Sequence, residues 1–142
     1  MRLARRDEAA QLADLWLRSR GTAVPAIPPP VHSDEEVRAW FADVVLPTKE
    51  VWVVEGQTVL ALLVLDGHWL DQLYVDPCHT GRGLGSVLVE LAKTQRSYLD
   101  LWTFQANHRA RGFYERHGFE VVSETDGDNE EGAPDVRYRW SA

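Results

Sequence analysis

One stretch of the chain, Leu70 to Leu91, constrains its fold more than any other. It opens with Leu-Asp-Gln-Leu-Tyr-Val, which reads as a buried strand, and Asp76-Pro77 stops it. A loop with glycines at 81, 83 and 85 follows. Leu84, Val87, Leu88 and Leu91 then recur at i, i+3, i+4 and i+7, the spacing of an amphipathic helix. A strand feeding a glycine-rich turn into a helix N-terminus is a physical device for holding phosphate. Glycine lets backbone N–H groups approach an anion with no Cβ in the way, and the helix terminus adds partial positive charge. Two common phosphate loops are excluded by spacing. No Gly-Lys-Ser/Thr closes this one, and its G-x-G-x-G is not the G-x-G-x-x-G of dinucleotide folds.

The flanking sequence supplies the other elements. Leu3-Ala4-Arg5 reads as a short strand, and Leu12, Leu15, Trp16 and Ser19 mark one face of a helix from Asp7 to Arg20 that Gly21 ends. Thr22 to His32, with Pro25, Pro28, Pro29 and Pro30, reads as an irregular connection. Ser33-Asp-Glu-Glu36 is a capping box, followed at helical spacing by Val37, Trp40, Phe41, Val44 and Val45, with Pro47 closing the helix. Val51–Glu55 and Thr58–Leu65 are strand-like runs about a Gly56-Gln57 turn, and Asp66-Gly67 turns the chain into the run that ends at Val75. After the loop helix, which reaches about Arg96, Tyr98–Thr103 is a further strand. Asn107 caps a helix whose Ala110, Phe113, Tyr114 and His117 share a face and which Gly118 ends. Gly112 inside it, costing about 1 kcal/mol relative to alanine, suggests a close backbone approach there. Phe119–Glu124 and the alternating Val136, Tyr138 and Trp140 give two last strands around an acidic loop.

The loop Thr80-Gly-Arg-Gly-Leu-Gly85 resembles the acetyl-CoA pyrophosphate loop of the GNAT superfamily of N-acetyltransferases, R/Q-x-x-G-x-G/A after a strand. Thr80 stands where the family has Arg or Gln, and Arg82 offers charge nearby. Asn107 to Phe119 is similar to the family segment N-x-x-A-x-x-F-Y-E-x-x-G-F, and it follows the loop by one helix and one strand as the family's order requires. The resemblance spans nearly the whole chain through the order β-α-α-β-β-β-α-β-α-β-β. It implies an α/β (α+β) GNAT fold, a mixed, mostly antiparallel sheet of six to seven strands flanked by about four helices, in one domain over residues 1–142.

The family's activity implies an acetyl-CoA-dependent N-acetyltransferase that passes an acetyl group directly to a primary amine of a small molecule or peptide. The alternative from another class is a non-catalytic acyl-CoA sensor or regulatory domain. Tyr114 matches the position whose phenol protonates the leaving CoA thiolate, against a reading as one of two core aromatics. Asn107 matches the position that hydrogen-bonds the pantetheine arm. The backbone of Leu73, Tyr74 and Val75 would pair with pantetheine, and Thr80, Gly81, Arg82, Gly83, Leu84, Gly85 and Ser86 would hold the pyrophosphate. Arg109 and Arg111 are further candidates for phosphate. Asp71, a carboxylate in an apolar strand that is costly to bury without a partner, is the candidate general base, with His68, Glu130 or a water chain as competitors and a salt-bridged aspartate as the bland reading.

Composition narrows the rest. Lys and Arg total 15 against 22 Asp and Glu, a formal charge of -7 that argues against nucleic acid and suits a cationic amine acceptor. Glu130 and Glu131, in the acidic loop, could attract that ammonium. Cys78 is the single cysteine, so neither an internal disulfide nor a thiolate zinc site is available, and no metal is expected. With no apolar leader and no long apolar run, no membrane association and a cytoplasmic location are expected. A homodimer is expected by analogy with the family.

Overall fold

The computed structural model describes residues 1–23, 26–28 and 31–142, so Pro25, Pro29 and Pro30 of the expected proline-rich connection lie outside the described residues. Strand β1 (Arg2–Leu3) leads through a 3₁₀ turn at Arg6–Glu8 into α1 (Ala9–Thr22). Gly21 does not end this helix. It adopts no positive φ, and α1 runs on to Thr22. Helix α2 (Asp34–Trp40) starts at the expected capping box, where the Ser33 hydroxyl accepts from the Glu36 N–H at 3.2 Å and the Glu36 carboxylate accepts from the Ser33 N–H at 3.1 Å. It continues through a π-helical turn at Phe41–Val45 into α3 (Leu46–Thr48), which includes Pro47. Pro47 does not close the segment but sits in its last turn, next to the π-helical turn in which the Leu46 N–H donates to the Phe41 carbonyl five residues back and the usual bonding ladder is already shifted.

Strands β2 (Glu50–Glu55), β3 (Val59–Asp66) and β4 (Trp69–Val75) pair antiparallel, followed by α4 (Leu84–Gln95), β5 (Tyr98–Phe104), α5 (His108–Arg116), β6 (Glu120–Thr125) and β7 (Asp135–Ser141). The seven strands form one sheet in the order β1-β2-β3-β4-β5-β7-β6, antiparallel at every neighbour except β4 and β5. Strand β3, Val-Leu-Ala-Leu-Leu-Val-Leu, is apolar on both faces because both are covered. Leu62 and Val64 pack with Leu12, Trp16 and Phe41 of the helices on one side. Ala61, Leu63 and Leu65 pack with Leu88, Val89 and Tyr114 of α4 and α5 on the other. Among the described residues no helix is long and apolar enough to cross a membrane.

Three local expectations change. The buried face of α4 is Leu88, Val89 and Ala92 with Leu84 alongside, while Val87 is 46% exposed. The helix is rotated by about one residue because Gly85 is pressed against the Phe113 ring, which a Cβ there would meet at 3.3 Å. No backbone approaches Gly112 closely. A Cβ added there would meet the Arg116 guanidinium at 3.3 Å. Strand β4 is buried only at Leu70, and Asp71 to Val75 stay partly exposed because its outer edge is uncovered.

Candidate active site

That uncovered edge is the frame of the site. Strands β4 and β5 register at a single pair, Trp69 with Asp100, next to the Asp100 N–H donated to the His68 carbonyl at 3.0 Å. Beyond it they diverge. The Asp76 N–H donates to Leu60 on the β3 side at 2.7 Å. Alternation along an antiparallel ladder therefore turns the main-chain groups of Leu73 and Val75 toward the open edge. The Val75 carbonyl accepts there from the Ser19 hydroxyl of α1 at 2.7 Å. The closed end is locked by Asp100, fully buried, whose carboxylate takes Arg139 at 2.6 Å and Arg137 at 2.5 Å, with His68 at 3.2 Å. The arginines, Arg139 first, hold its pKa well below the usual carboxylate range.

The loop after β4 is built to present N–H groups. Asp76 accepts from the Cys78 N–H and from Arg18 of α1, both at 2.9 Å, fastening the base of the loop. Gly81 and Gly83 take φ of +79°, which residues with a Cβ rarely adopt, and a Cβ at either would point into open space. Gly83 caps α4, and the first amides of that helix face outward as helix geometry requires. A cavity of about 450 Å³ lies along this loop and the β4 edge. Its lining gathers eleven of the residues singled out above, namely Leu73, Tyr74, Val75, Thr80, Gly81, Gly83, Leu84, Gly85, Ser86, Asn107 and Tyr114. It also takes in Arg109 and Arg116 and contains no carboxylate. Two candidates stand apart. Arg82 is exposed and outside the lining. Arg111 is spent on structure, donating to the Tyr138 hydroxyl at 3.0 Å and the Gln105 carbonyl at 3.3 Å.

Tyr114 lines this cavity and also a second one of about 500 Å³, so it stands at their junction with Leu73, Tyr74 and Asn107. It is 8% exposed, and burial pushes its phenol well above the ordinary tyrosine range, keeping it protonated. Asn107 caps α5 through its side-chain oxygen, which accepts from the Ala110 N–H at 3.2 Å, leaving its amide nitrogen for the cavities it lines.

The second cavity holds Asp71, Asp128, Glu131 and Asp135, and a third, of about 620 Å³, is lined by Glu36, Asp43, Glu130 and Glu131. Asp71 is bonded to Lys49 at 2.9 Å. Arg20, Gln72 and Glu131 belong to both of these acidic cavities. Arg20 is 7% exposed, lies over the Trp16 ring at 4.5 Å and has Glu131 at 3.8 Å, and its Nη1 donates to the Tyr74 hydroxyl at 3.4 Å. The Trp16 indole donates to Gln72 at 3.0 Å. His32 bridges Glu36 and Glu130 at the rim, tying α2 to the β6–β7 loop. Ile27 and His32 also place described parts of the proline-rich connection in the cavity walls. Sequence reasoning missed Arg20, Trp16, Gln72 and the Tyr74 side chain, since a polar residue at a helix end or on a strand carries no mark of a distant partner.

Comparison with known proteins agrees with this geometry. Residues 47–121 match the acetyltransferase (GNAT) domain. The chain is 30% identical over 134 residues to the peptidyl-lysine N-acetyltransferase YjaB of Escherichia coli (strain K12), covering 91% of this chain and 87% of that one. The chain belongs to the GNAT acetyltransferase family. A shorter match, 36% over 66 residues and 41% of this chain, is to the spermine/spermidine N(1)-acetyltransferase of Bacillus subtilis (strain 168), 42% of which is covered. The solution structure of the apo-form of Escherichia coli YjaB superposes with a TM-score of 0.78 at 27% identity, over 97% of this chain and 94% of that one. The structure of yncA from Salmonella typhimurium with its cofactor acetyl-CoA shares the fold, with a TM-score of 0.70 at 17% identity over 99% of this chain and 91% of that one. The protein is an N-acetyltransferase with acetyl-CoA as cosubstrate, and nothing favours the non-catalytic alternative. The cradle fits that cosubstrate, with glycines where a Cβ would fill the approach and arginines without carboxylates along the cavity.

Proposed function

We propose that the cavity along the loop holds acetyl-CoA and that the acidic cavities beyond Tyr114 hold a cationic primary amine, of a small molecule or a peptide. The observation that carries this reading is the division of charge across Tyr114. Arginines line one side without a carboxylate, and four carboxylates line each cavity on the other. The acceptors named for the two relatives, peptidyl lysine and spermine, both offer such an amine. The N–H groups of Gly81 to Ser86 hold the pyrophosphate, the free edge of Leu73 and Val75 orients the pantetheine, and Asn107 hydrogen-bonds that arm. Thr80 and Arg82 complete the rim of the loop.

Asp71 takes the proton of the incoming ammonium, a transfer for which it must exchange part of its bond to Lys49. The amine nitrogen forms a bond to the acyl carbon, the carbon–sulfur bond breaks, Tyr114 donates its proton to the departing thiolate, and the second proton that the nitrogen sheds on becoming an amide returns through solvent to the Tyr114 phenolate. Burial keeps that phenol in the protonated form from which a proton can be donated. Replacing Tyr114 by Phe is expected to lower kcat by about 10²- to 10⁴-fold while the Kd for acetyl-CoA stays within about twofold. An unchanged kcat would remove Tyr114 from the chemistry.

The same proposal includes one domain over residues 1–142 and a cytoplasmic site of action, in keeping with a single, unpaired cysteine. It includes a homodimer, for which the edge strand β6, with Val121 and Val122 about half exposed, offers an apolar surface. Light scattering on the wild type and on a Val121→Lys variant reads that state directly.

A further inference from the structure

Behind the first turn of α4 lies a chain of three side chains that the acetyl-transfer scheme does not use. The Ser86 hydroxyl, in the wall of the loop cavity, is 3.0 Å from His117 Nε2, and His117 Nδ1 is 3.2 Å from a Glu90 carboxylate oxygen. The histidine is mostly enclosed, with 17% of its side chain exposed, and lies against the Phe113 ring at 4.7 Å. The charged groups facing it are Glu90 and Lys93 of α4 and its neighbour Arg116 on α5. Lys93 Nζ donates to the His117 carbonyl at 2.6 Å and sits 3.4 Å from Glu90. From β7 comes the uncharged Trp140 ring, 5.3 Å from Lys93 Nζ.

Proton bookkeeping decides what this chain can do. An ionised carboxylate only accepts, so Nδ1 carries a proton that it donates to Glu90. With His117 neutral, Nε2 has a lone pair, and the Ser86 O–H is spent on it. The serine oxygen then turns only lone pairs to the cavity, which suits a phosphate badly. With His117 protonated, Nε2–H donates to the Ser86 oxygen, and the hydroxyl proton is free to be donated into the cavity.

We infer that His117 is a positioning residue that, by taking up a proton, turns the Ser86 hydroxyl into a hydrogen-bond donor for the pyrophosphate of acetyl-CoA. The inference rests on the reading that this loop holds the pyrophosphate. It makes cofactor binding proton-linked. Affinity falls as pH rises, by at most about tenfold per pH unit for the one proton taken up on binding.

Calorimetry of acetyl-CoA binding in buffers of different ionisation enthalpy measures the proton uptake, and Kd is followed from pH 6 to 8.5. The wild type is expected to take up more protons than His117→Gln, whose side-chain amide donates to Ser86 at every pH and whose Kd is therefore flatter with pH. Ser86→Ala, which leaves the His117–Glu90 pair in place, should also lose the extra uptake and bind more weakly at low pH. Thermal melts of both variants establish that they are folded. Equal uptake in all three proteins, with parallel Kd profiles, would overturn the inference while leaving the loop's role intact. Failure of the wild type to bind acetyl-CoA would overturn the reading of the loop itself.

Discussion

The cavity proposed for acetyl-CoA is made largely of consecutive residues and their main chain, whereas the acidic cavities proposed for the amine are made of side chains brought together from α1, α2, β4 and the β6–β7 loop. The first needs glycines with positive φ, a helix terminus and a strand edge without a partner. The second needs Arg20, Glu131 and Gln72 to meet across long stretches of chain. Chemistry divides the same way, since backbone N–H groups suit the phosphates of a cosubstrate and carboxylate side chains suit a cationic amine. Phosphates can be read by local geometry, and a cationic amine by tertiary placement.

Substitutions on each side test that division. The largest effect is expected from Gly83→Val. A φ of +79° costs a β-branched residue at least about 1–2 kcal/mol, and the new side chain also stands in the anion's approach. Binding of acetyl-CoA should weaken by about 10²- to 10³-fold, measured by calorimetry, with the fold retained by circular dichroism.

Next comes Asp100→Asn at the closed end of the wedge. Removing a buried charge that serves Arg137, Arg139 and His68 should cost about 2–3 kcal/mol in chemical unfolding. The folded-state pKa of Asp100 lies below its unfolded value of about 3.9. Its contribution is therefore complete above about pH 4 and is lost as pH falls toward the folded-state value. The variant should accordingly be less sensitive to acid than the wild type over that window, which unfolding curves from pH 5 to pH 2 would check.

The smallest effect separates the two sides most sharply. Glu131→Gln should raise KM for a cationic amine about fivefold to tenfold, an effect that added salt reduces, while Kd for acetyl-CoA stays unchanged. A loss of acetyl-CoA affinity in this variant would break the comparison.

How far the sequence spoke follows the same line. The capping box at Ser33, the β4–loop–α4 unit and the segment from Asn107 to Phe119 are local signals with local causes, and the structure reproduces these elements. The α4 face was displaced because the contact of Gly85 with Phe113 is tertiary and leaves no periodic trace. Asp71 was legible as a carboxylate in an unusual place, but its partner Lys49 was not, because that lysine comes from the end of the preceding helical segment. Arg20 reads as an ordinary charged residue at the end of a helix, and only packing against Trp16 and Tyr74 makes it part of the site.

The most direct test of the account is an amide NMR titration of the isotope-labelled protein with acetyl-CoA. The predicted result is that shifts concentrate at Leu73, Val75 and the amides from Gly81 to Ser86, and at Asn107 and Tyr114, while Asp34 to Trp40 of α2 stay in place. Shifts centred on α2 and the loop around Glu130, with the amides of Gly81 to Ser86 unmoved, would contradict it.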